Sequence, residues 1–358
     1  MTAWCSLLLV RTSYSNCKTP GTKWIELPWP TGAWRDELTQ CISSVDELLE
    51  RVKLTRDDVG LGPNADVAER AFRLRVPRGL VSRIRPGRPR DPILRQILPI
   101  DDEVREVPGF AVDPLGEEAR IADGGIVQKY RGRALIVLTG ACAIHCRYCF
   151  RRHFPYEKTG DIDQALERMA DDPTISEVIL SGGDPLMLSD ERIDGILNSI
   201  EQLTSIRRIR IHTRLPVVLP QRIDQGLLDI LSGRPVPIIT VIHANHAQEL
   251  SEDVRIACGA LAERGIALLN QTVLLKGINN DADSLVELSQ KLFDCRVLPY
   301  YLHLLDKVTG AAHFDVEEDT AKALMAEVSA RLPGYLVPRL VREVEGAKSK
   351  VVLSPFGT

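Results

Sequence analysis

The sequence has no surplus of charge of one sign and no long apolar run. Its 45 basic and 49 acidic residues give a formal net charge of −4, so the composition indicates neither nucleic acid nor an anionic membrane as a partner. The apolar run at residues 6–10 is too short to span a membrane, and it lacks the charged start and the cleavage site of an export signal. We therefore expect a cytoplasmic protein.

Cysteine is also scarce, with eight in 358 residues. In the cytosol, cysteines are more often free thiols or metal ligands than disulfides. Five are scattered and are interpreted as structural or incidental: Cys5, Cys17, Cys41, Cys258 and Cys295. The other three are Cys142, Cys146 and Cys149, and this clustering is unexpected by chance in a chain so poor in cysteine.

Six apolar runs, each followed by an amphipathic stretch, indicate an α/β fold with a parallel sheet. The runs lie at 134–139, 177–180, 209–212, 237–242, 267–275 and 297–302. The helical stretches lie near 163–172, 190–203, 221–232, 247–264, 281–294 and 316–331. An open doubly wound sheet and a barrel-like sheet both fit, although no G-x-G-x-x-G motif follows any run.

The sequence pattern divides the chain into an N-terminal extension at residues 1–130, a central β-α region at 131–315 and a C-terminal segment at 316–358. The first part carries a predicted helix with Val45, Leu48, Leu49 and Val52 on its apolar face, and then a stretch broken by prolines. A basic run in that part consists of Arg73, Arg75, Arg78, Arg83, Arg85, Arg88, Arg90 and Arg95. We interpret it as a solvated face outside the core, with a docking surface for an acidic partner as the alternative.

Polar residues follow the predicted strands at their carboxyl ends, where parallel β-α folds gather reactive groups. The cysteine segment follows the first run, residues 181–184 the second and residues 212–214 the third. Residues 243–246 follow the fourth run, residues 270–272 lie in the fifth, and residues 300–306 complete the sixth. We expect these groups to meet at one rim of the sheet.

The spacing C-x3-C-x2-C lets three thiolates converge on one metal centre. Three thiolates bind three irons of a [4Fe-4S] cube and leave the fourth iron open for a small chelating molecule. A zinc site is the alternative, but structural zinc sites generally have four ligands, and His145 would have to fold back sharply to be the fourth. The spacing is therefore typical of radical S-adenosylmethionine (SAM) enzymes.

The chain from about residue 129 to residue 350 resembles the lysine 2,3-aminomutase family of radical SAM enzymes. The matching segments are 138–142, 149–152, 181–186, 213–222, 270–275, 299–302 and 334–338. The resemblance implies a partial (β/α)6 TIM-like radical SAM barrel with an N-terminal helical extension and a short C-terminal segment. That segment would carry the lysine for pyridoxal 5′-phosphate (PLP).

The same resemblance implies a [4Fe-4S] cluster, SAM and PLP as cofactors, with a role for each matching residue. It assigns Cys142, Cys146 and Cys149 to the cluster, Gly182, Gly183, Asp184, His243 and Gln271 to SAM, Lys350 to PLP as the catalytic lysine, and Arg151, Asp306 and Glu343 to the substrate. Arg152 is a further neighbour. The family has an aspartate at the position of Glu343, so the ammonium pocket differs in reach.

Several of these assignments have structural alternatives. Residues 182–184 can form a tight turn in which Asp184 caps a helix. His243 can be a hydrogen-bonded structural histidine, Asp306 can pair with Lys307 at the surface, and Lys348 can take the place of Lys350.

The implied activity is an isomerase reaction that converts (S)-α-lysine to (R)-β-lysine. Segments 149–156 and 305–314 resemble the branch of the family whose product modifies elongation factor P, and no cysteine follows Cys295 to bind the zinc of metabolic members. The alternatives are a metabolic aminomutase for another amino acid and a non-catalytic iron–sulfur protein. Expected partners are lysine, a one-electron reductant such as flavodoxin or ferredoxin, and a pathway link to the elongation factor P ligase; nucleic acid and membrane are not expected.

Overall fold

The computed structural model describes residues 24–122, 125–158 and 161–355. Cys5, Cys17 and the apolar run at residues 6–10 lie outside the described residues. Within the described residues, no helix is long and apolar enough to cross a membrane.

Six parallel strands form the centre of the fold, and each coincides with a predicted apolar run. They are β3 (Arg133–Val137), β4 (Glu177–Ser181), β5 (Arg208–Thr213), β6 (Ile238–Ile242), β7 (Ala267–Val273) and β8 (Leu298–His303). Each pairs in parallel with the next along the chain, for example Val178 with Ile209 and Leu269 with Leu298. β4 is buried at all five residues, as expected of a parallel strand that is covered on both faces, whereas burial alternates along β5 and β7.

Four short strands that the apolar pattern did not predict extend this sheet at its two edges. Before β3 lie β1 (Ile121–Ala122) and β2 (Ile126–Val127), both antiparallel. Beyond β8 lie β9 (Arg339–Arg342), which is parallel to β8, and the antiparallel β10 (Val351–Val352). The sheet runs in sequence order from β1 to β10, so the described strands form an open, partial barrel.

Helices connect the strands and cover the outside, close to the predicted bounds. They are α6 (Ile162–Asp171), α7 (Asp190–Glu201), the short α8 (Leu215–Val218), α9 (Gln225–Leu231), α10 (Glu252–Glu263), α11 (Ala282–Asp294) and α12 (Glu318–Arg331). Several helices begin after a residue whose side chain accepts a hydrogen bond from a backbone N–H of the first turn, as Ser189 does for α7 and Asp281 for α11. The fold class predicted from the sequence is confirmed.

The N-terminal extension packs into the same core as the barrel. Its helices are α1 (Ala33–Thr39), α2 (Val45–Arg51), α3 (Asn64–Ala71), α4 (Arg78–Val81) and α5 (Leu94–Ile97), and α2 is the helix that the sequence predicted. Leu48 and Leu94 are fully buried in one apolar cluster together with Ile209 of β5. The three-part division at residues 130 and 315 stays a prediction.

Candidate active site

One cavity of about 330 Å³ contains every residue that the sequence assigned to the site. Its walls include Cys142, Cys146, Cys149, Arg151, Gly182, Gly183, Asp184, His243, Gln271, Asp306, Glu343 and Lys350. These residues follow or lie in five of the parallel strands, with two more from the segment after β9. The topology thus brings together groups that lie up to about two hundred residues apart in the sequence.

The three cysteines lie in the loop after β3, and all three side chains are partly exposed to the cavity. Burial raises the pKa of the Cys142 thiol, and it raises the pKa of Cys149 to about 11. Bound iron would oppose this effect because coordination favours the thiolate. The described residues contain no group of three or more His, Cys, Asp or Glu side chains arranged for a single metal ion. In a [4Fe-4S] cluster each cysteine binds a different iron, so the three sulfur atoms do not have to surround a single metal ion.

His145 lines the same cavity as the cysteines and holds their loop to the N-terminal extension. Its Nδ1 lies 2.7 Å from the carbonyl oxygen of Arg73, and its backbone N–H donates to the carbonyl of Arg75 at 3.0 Å. The ring stacks on Phe72 with centroids 4.9 Å apart. These contacts hold the ring through Nδ1, and the described residues contain no group of three or more ligands that would place His145 in a zinc site.

Arg214 contacts a cysteine directly, a role that the sequence did not reveal. Its Nη1 donates to Sγ of Cys146 at 2.6 Å, and its Nη2 donates to Gln96 and to Glu249, each at 2.8 Å. Arg214 is 7% exposed, and the Glu249 carboxylate balances its charge. The signals in the sequence were its position directly after Thr213 at a strand end and its place in the matching segment 213–222.

The glycines of the loop after β4 are required by close backbone packing. Gly182 has a φ of +131°, and a Cβ there would lie 2.5 Å from the carbonyl oxygen of Thr139. A Cβ on Gly183 would lie 2.4 Å from the carbonyl oxygen of Ala141. This turn fits tightly against the start of the cysteine loop, so the two loops hold each other in place.

Asp184 braces that turn from inside the protein. Its carboxylate accepts from Leu186 N, from Thr213 Oγ1 and from Arg214 N at 2.7–3.1 Å. Burial raises its pKa to about 6 despite these hydrogen bonds. The capping alternative is therefore present, and contact of residues 182–184 with SAM stays a prediction.

The interior of the cavity has several buried polar atoms without a partner among the described residues. They are Nε2 of His212, Nε2 of Gln271 and Nε2 of His303. Burial lowers the pKa of His243 to about 4, so this ring is neutral near pH 7. Unpaired buried polar atoms are rare in native proteins, and their presence here fits a cavity shaped for polar ligands such as SAM and PLP.

Arg151 lines the cavity, but its two-pronged side faces a carboxylate of the protein. Nε and Nη2 donate to Glu117 at 2.8 and 3.1 Å, and Nη1 donates to Ser181 at 2.9 Å. Burial opposes ionisation of Glu117, but Arg151 and Lys129 lower its pKa to about 2. Arg151 thus has little more than one free N–H for a ligand, so it can no longer offer two parallel hydrogen bonds to a carboxylate. Its role toward the substrate carboxylate stays a prediction.

Lys350, and not Lys348, reaches the cavity. Its Nζ pairs with Glu343, which also accepts from the hydroxyl of Tyr130 at 2.5 Å. Lys348 is exposed and does not line the cavity. Lys350 therefore lies where its amine can reach a ligand in the cavity. Its role toward PLP stays a prediction.

Asp306 is the acidic group of the cavity that has no partner. Among the described residues, no donor forms a hydrogen bond or an ion pair with its carboxylate, and Lys307 pairs with Asp315 at 3.4 Å instead. Burial, followed by the charge of Glu343, raises the pKa of Asp306 to about 7. The surface pairing of Asp306 with Lys307 is thus absent.

Comparison with known proteins is consistent with this site. Residues 136–288 match the model of the radical SAM superfamily. An L-lysine 2,3-aminomutase of Escherichia coli is 44% identical over 89% of this chain and 94% of its own length. One from Buchnera aphidicola is 43% identical over 90% and 95%, and one from Clostridium subterminale is 32% identical over 90% and 78%.

This similarity extends over about nine-tenths of the chain and therefore includes the cluster loop. Membership indicates an isomerase, so the alternative of a non-catalytic iron–sulfur protein is not supported. The chain belongs to the L-lysine 2,3-aminomutase family of radical SAM enzymes.

Proposed function

We propose that the chain converts (S)-α-lysine to (R)-β-lysine with PLP as a third cofactor, and that this product modifies elongation factor P. The observation that carries the proposal is the shared cavity, in which a lysine, an unpaired acid and the three cysteines face one space. When bound, the cluster and SAM would supply a radical that removes a hydrogen atom from the substrate, and PLP would hold the migrating amino group.

The protein would hold the substrate through its charges. Asp306 is the one acid of the cavity without a partner among the described residues, so it is the best site for the distal ammonium of lysine. Glu343 already pairs with Lys350, so its carboxylate is less available to the ammonium than that of Asp306. The buried histidines His212 and His243 are neutral near pH 7, so they add no positive charge that would repel the ammonium.

Elongation factor P is the proposed destination because two segments match that branch of the family. In the structure these segments, 149–156 and 305–314, contact each other: Arg152 Nη1 donates to the carbonyl oxygen of Gly310 at 3.3 Å. Their contact supports treating them as one feature of the branch.

The experiment for PLP compares Lys350→Ala with Lys348→Ala in purified, anaerobically reconstituted protein. Lys350→Ala should lose the PLP absorption band, the adduct trapped by borohydride and all β-lysine formation. Lys348→Ala should keep all three, because its side chain lies outside the cavity. Loss of the adduct in Lys348→Ala alone would contradict the assignment.

Two further measurements test the substrate and the destination. Turnover of lysine should exceed turnover of ornithine and glutamate, and a preference for either of those would indicate a metabolic aminomutase. Deletion of the gene in its own organism should remove the β-lysine mass increment from elongation factor P, and added (R)-β-lysine should restore it. An unchanged mass after deletion would leave the aminomutase but contradict this destination. The cytoplasmic location stays a prediction.

A further inference from the structure

Residues 71–90, which we call the arginine segment, have a charge unlike that of the rest of the chain. They contain seven arginines and no aspartate or glutamate, although the whole chain has a net charge of −4. A charge of one sign on a short segment produces a local field that the average composition hides.

The arginine segment lies against the loops that surround the cluster site. The carbonyls of Arg73 and Arg75 accept from His145, which stands between two of the cysteines. Further along, Arg83 Nη1 donates to the carbonyls of Val217 and Glu249 at 2.6 and 2.8 Å. Those residues follow β5 and β6, so the segment crosses the outside of the site at the carboxyl ends of three strands.

Most side chains of the arginine segment point to solvent and are unpaired. Arg73, Arg85, Arg88 and Arg90 are exposed, and none forms an ion pair within the described parts of the chain. Arg78 donates to Gln40 at 3.2 Å, and its contact with a carboxylate, that of Glu47, is long at 3.8 Å. The solvated face expected from the sequence is therefore observed for these residues, whereas Arg83 is mostly buried. Charges that are unpaired at the surface are free to attract a partner of opposite sign.

We propose that the arginine segment is the docking surface for an acidic one-electron carrier protein that reduces the cluster. This proposal rests on the proposed function, because only a working cluster needs a supply of electrons. Cofactors and substrate would occupy the cavity side of the cysteine loop, which leaves its outer side for a macromolecule. In the step itself the carrier loses one electron and the oxidised cluster gains it, with no bond formed or broken.

The arginine segment also has a short path to the cysteines, through two residues of the cavity wall. The Phe72 ring stacks on His145, and His145 directly precedes Cys146. A carrier bound at Arg73 would therefore be linked to Cys146 through the hydrogen bond between Arg73 and His145 and the peptide bond between His145 and Cys146. An acidic carrier fits this surface better than a nucleic acid, because the arginines lie beside the cysteine loop, where the cluster would receive its electron.

The test measures cluster reduction by stopped-flow under anaerobic conditions, with an acidic flavodoxin that has been reduced beforehand. Arg73→Glu/Arg88→Glu should lower the second-order rate by about tenfold or more at low salt, since steering of this kind raises association rates by ~10- to 1,000-fold. The matched control is Arg168→Glu/Arg207→Glu, which makes the same charge change at exposed positions near the amino ends of the strands. The control should reduce at the wild-type rate.

Dithionite separates docking from chemistry because it is small and needs no docking surface. With dithionite, Arg73→Glu/Arg88→Glu should keep nearly the wild-type cluster reduction and lysine turnover. Equal slowing by flavodoxin and dithionite, or equal slowing in the control variant, would overturn the proposal. A wild type whose cluster is reduced by dithionite but that does not turn over lysine would contradict the proposed function, while docking is judged on the rates of cluster reduction.

The wild type alone provides a second test, in case the variant does not fold. Its rate with flavodoxin should fall steeply with ionic strength, because salt screens exposed charges. A rate that does not change with salt would overturn the proposal. So would an unchanged flavodoxin rate in the variant together with a loss of RNA binding, which would assign the segment to nucleic acid.

Discussion

Replacement of Asp306 by Asn is the sharpest test of how the cavity recognises its substrate. The change removes a negative charge and keeps the shape of the side chain. Truncating one partner of a desolvated charge pair costs about 2–5 kcal/mol, or roughly 30-fold to several thousand-fold in kcat/KM. Because Glu343 remains as a second carboxylate nearby, we expect the lower part of this range, about 30- to 300-fold.

The assay compares lysine with 2-aminohexanoate, which has the same carbon chain without the distal ammonium. The wild type should strongly prefer lysine, and Asp306→Asn should lose most of that preference while iron content and PLP absorption stay normal. Asp315→Asn is the control, because Asp315 pairs with Lys307 at 3.4 Å and does not line the cavity. That partly exposed pair is worth at most about 1 kcal/mol.

The pH dependence gives an independent check on the same residue. With a pKa of about 7, Asp306 is protonated on the acidic side and cannot bind a cation there. For the wild type, kcat/KM for lysine should therefore rise with pH through about 7, and Asp306→Asn should lack this rise. Near-wild-type turnover and selectivity in Asp306→Asn would refute the assignment of Asp306 to the substrate ammonium.

Three other outcomes follow from the buried charges. Glu117→Gln should lower the free energy of unfolding by about 3 kcal/mol, measured by urea denaturation, because Arg151 then lacks its buried counter-charge; a change below about 0.5 kcal/mol would contradict this. Arg214→Gln should make the cluster midpoint potential more negative in a redox titration followed by EPR, since a cationic donor to Cys146 favours the reduced state; an unchanged potential at full iron content would oppose it. Without cofactors, the stabilising contribution of protonated Asp306 should be complete below pH 3.8 and lost as pH rises through about 7, a slope that Asp306→Asn should abolish.

The strands and helices of the barrel are predictable because their signal is local. A strand buried on both faces is predominantly apolar, as in residues 178–180 of β4 and in β6, where Thr240 is the one polar residue. The four edge strands are two to four residues long, which is too short for any pattern to stand out. Their pairing depends on the neighbouring strand, and that information is not present in the segment itself.

The candidate site is predictable to a different degree for each kind of residue. Cysteine spacing and family segments identify the groups that line the cavity, because those residue types are unusual at strand ends. The partners of these groups are not identifiable in this way. Glu117 lies in an irregular segment directly before a second acid, Glu118, and nothing local distinguishes it from that exposed neighbour. Only the fold shows that it holds Arg151.

The N-terminal extension has no motif of its own, yet its buried polar groups hold the cluster loop in place. Glu103 accepts from Arg147 at 2.5 and 2.8 Å and from Arg152 at 2.9 Å, while Gln96 accepts from Arg214. Without Glu103, two guanidinium groups beside the cysteines would be left in the interior with no carboxylate, an arrangement that costs several kcal/mol. A loop of eight residues cannot satisfy such charges by itself, so the cysteine motif alone is not sufficient to build the site. The extension is therefore better regarded as part of the active site than as an appendage to the barrel.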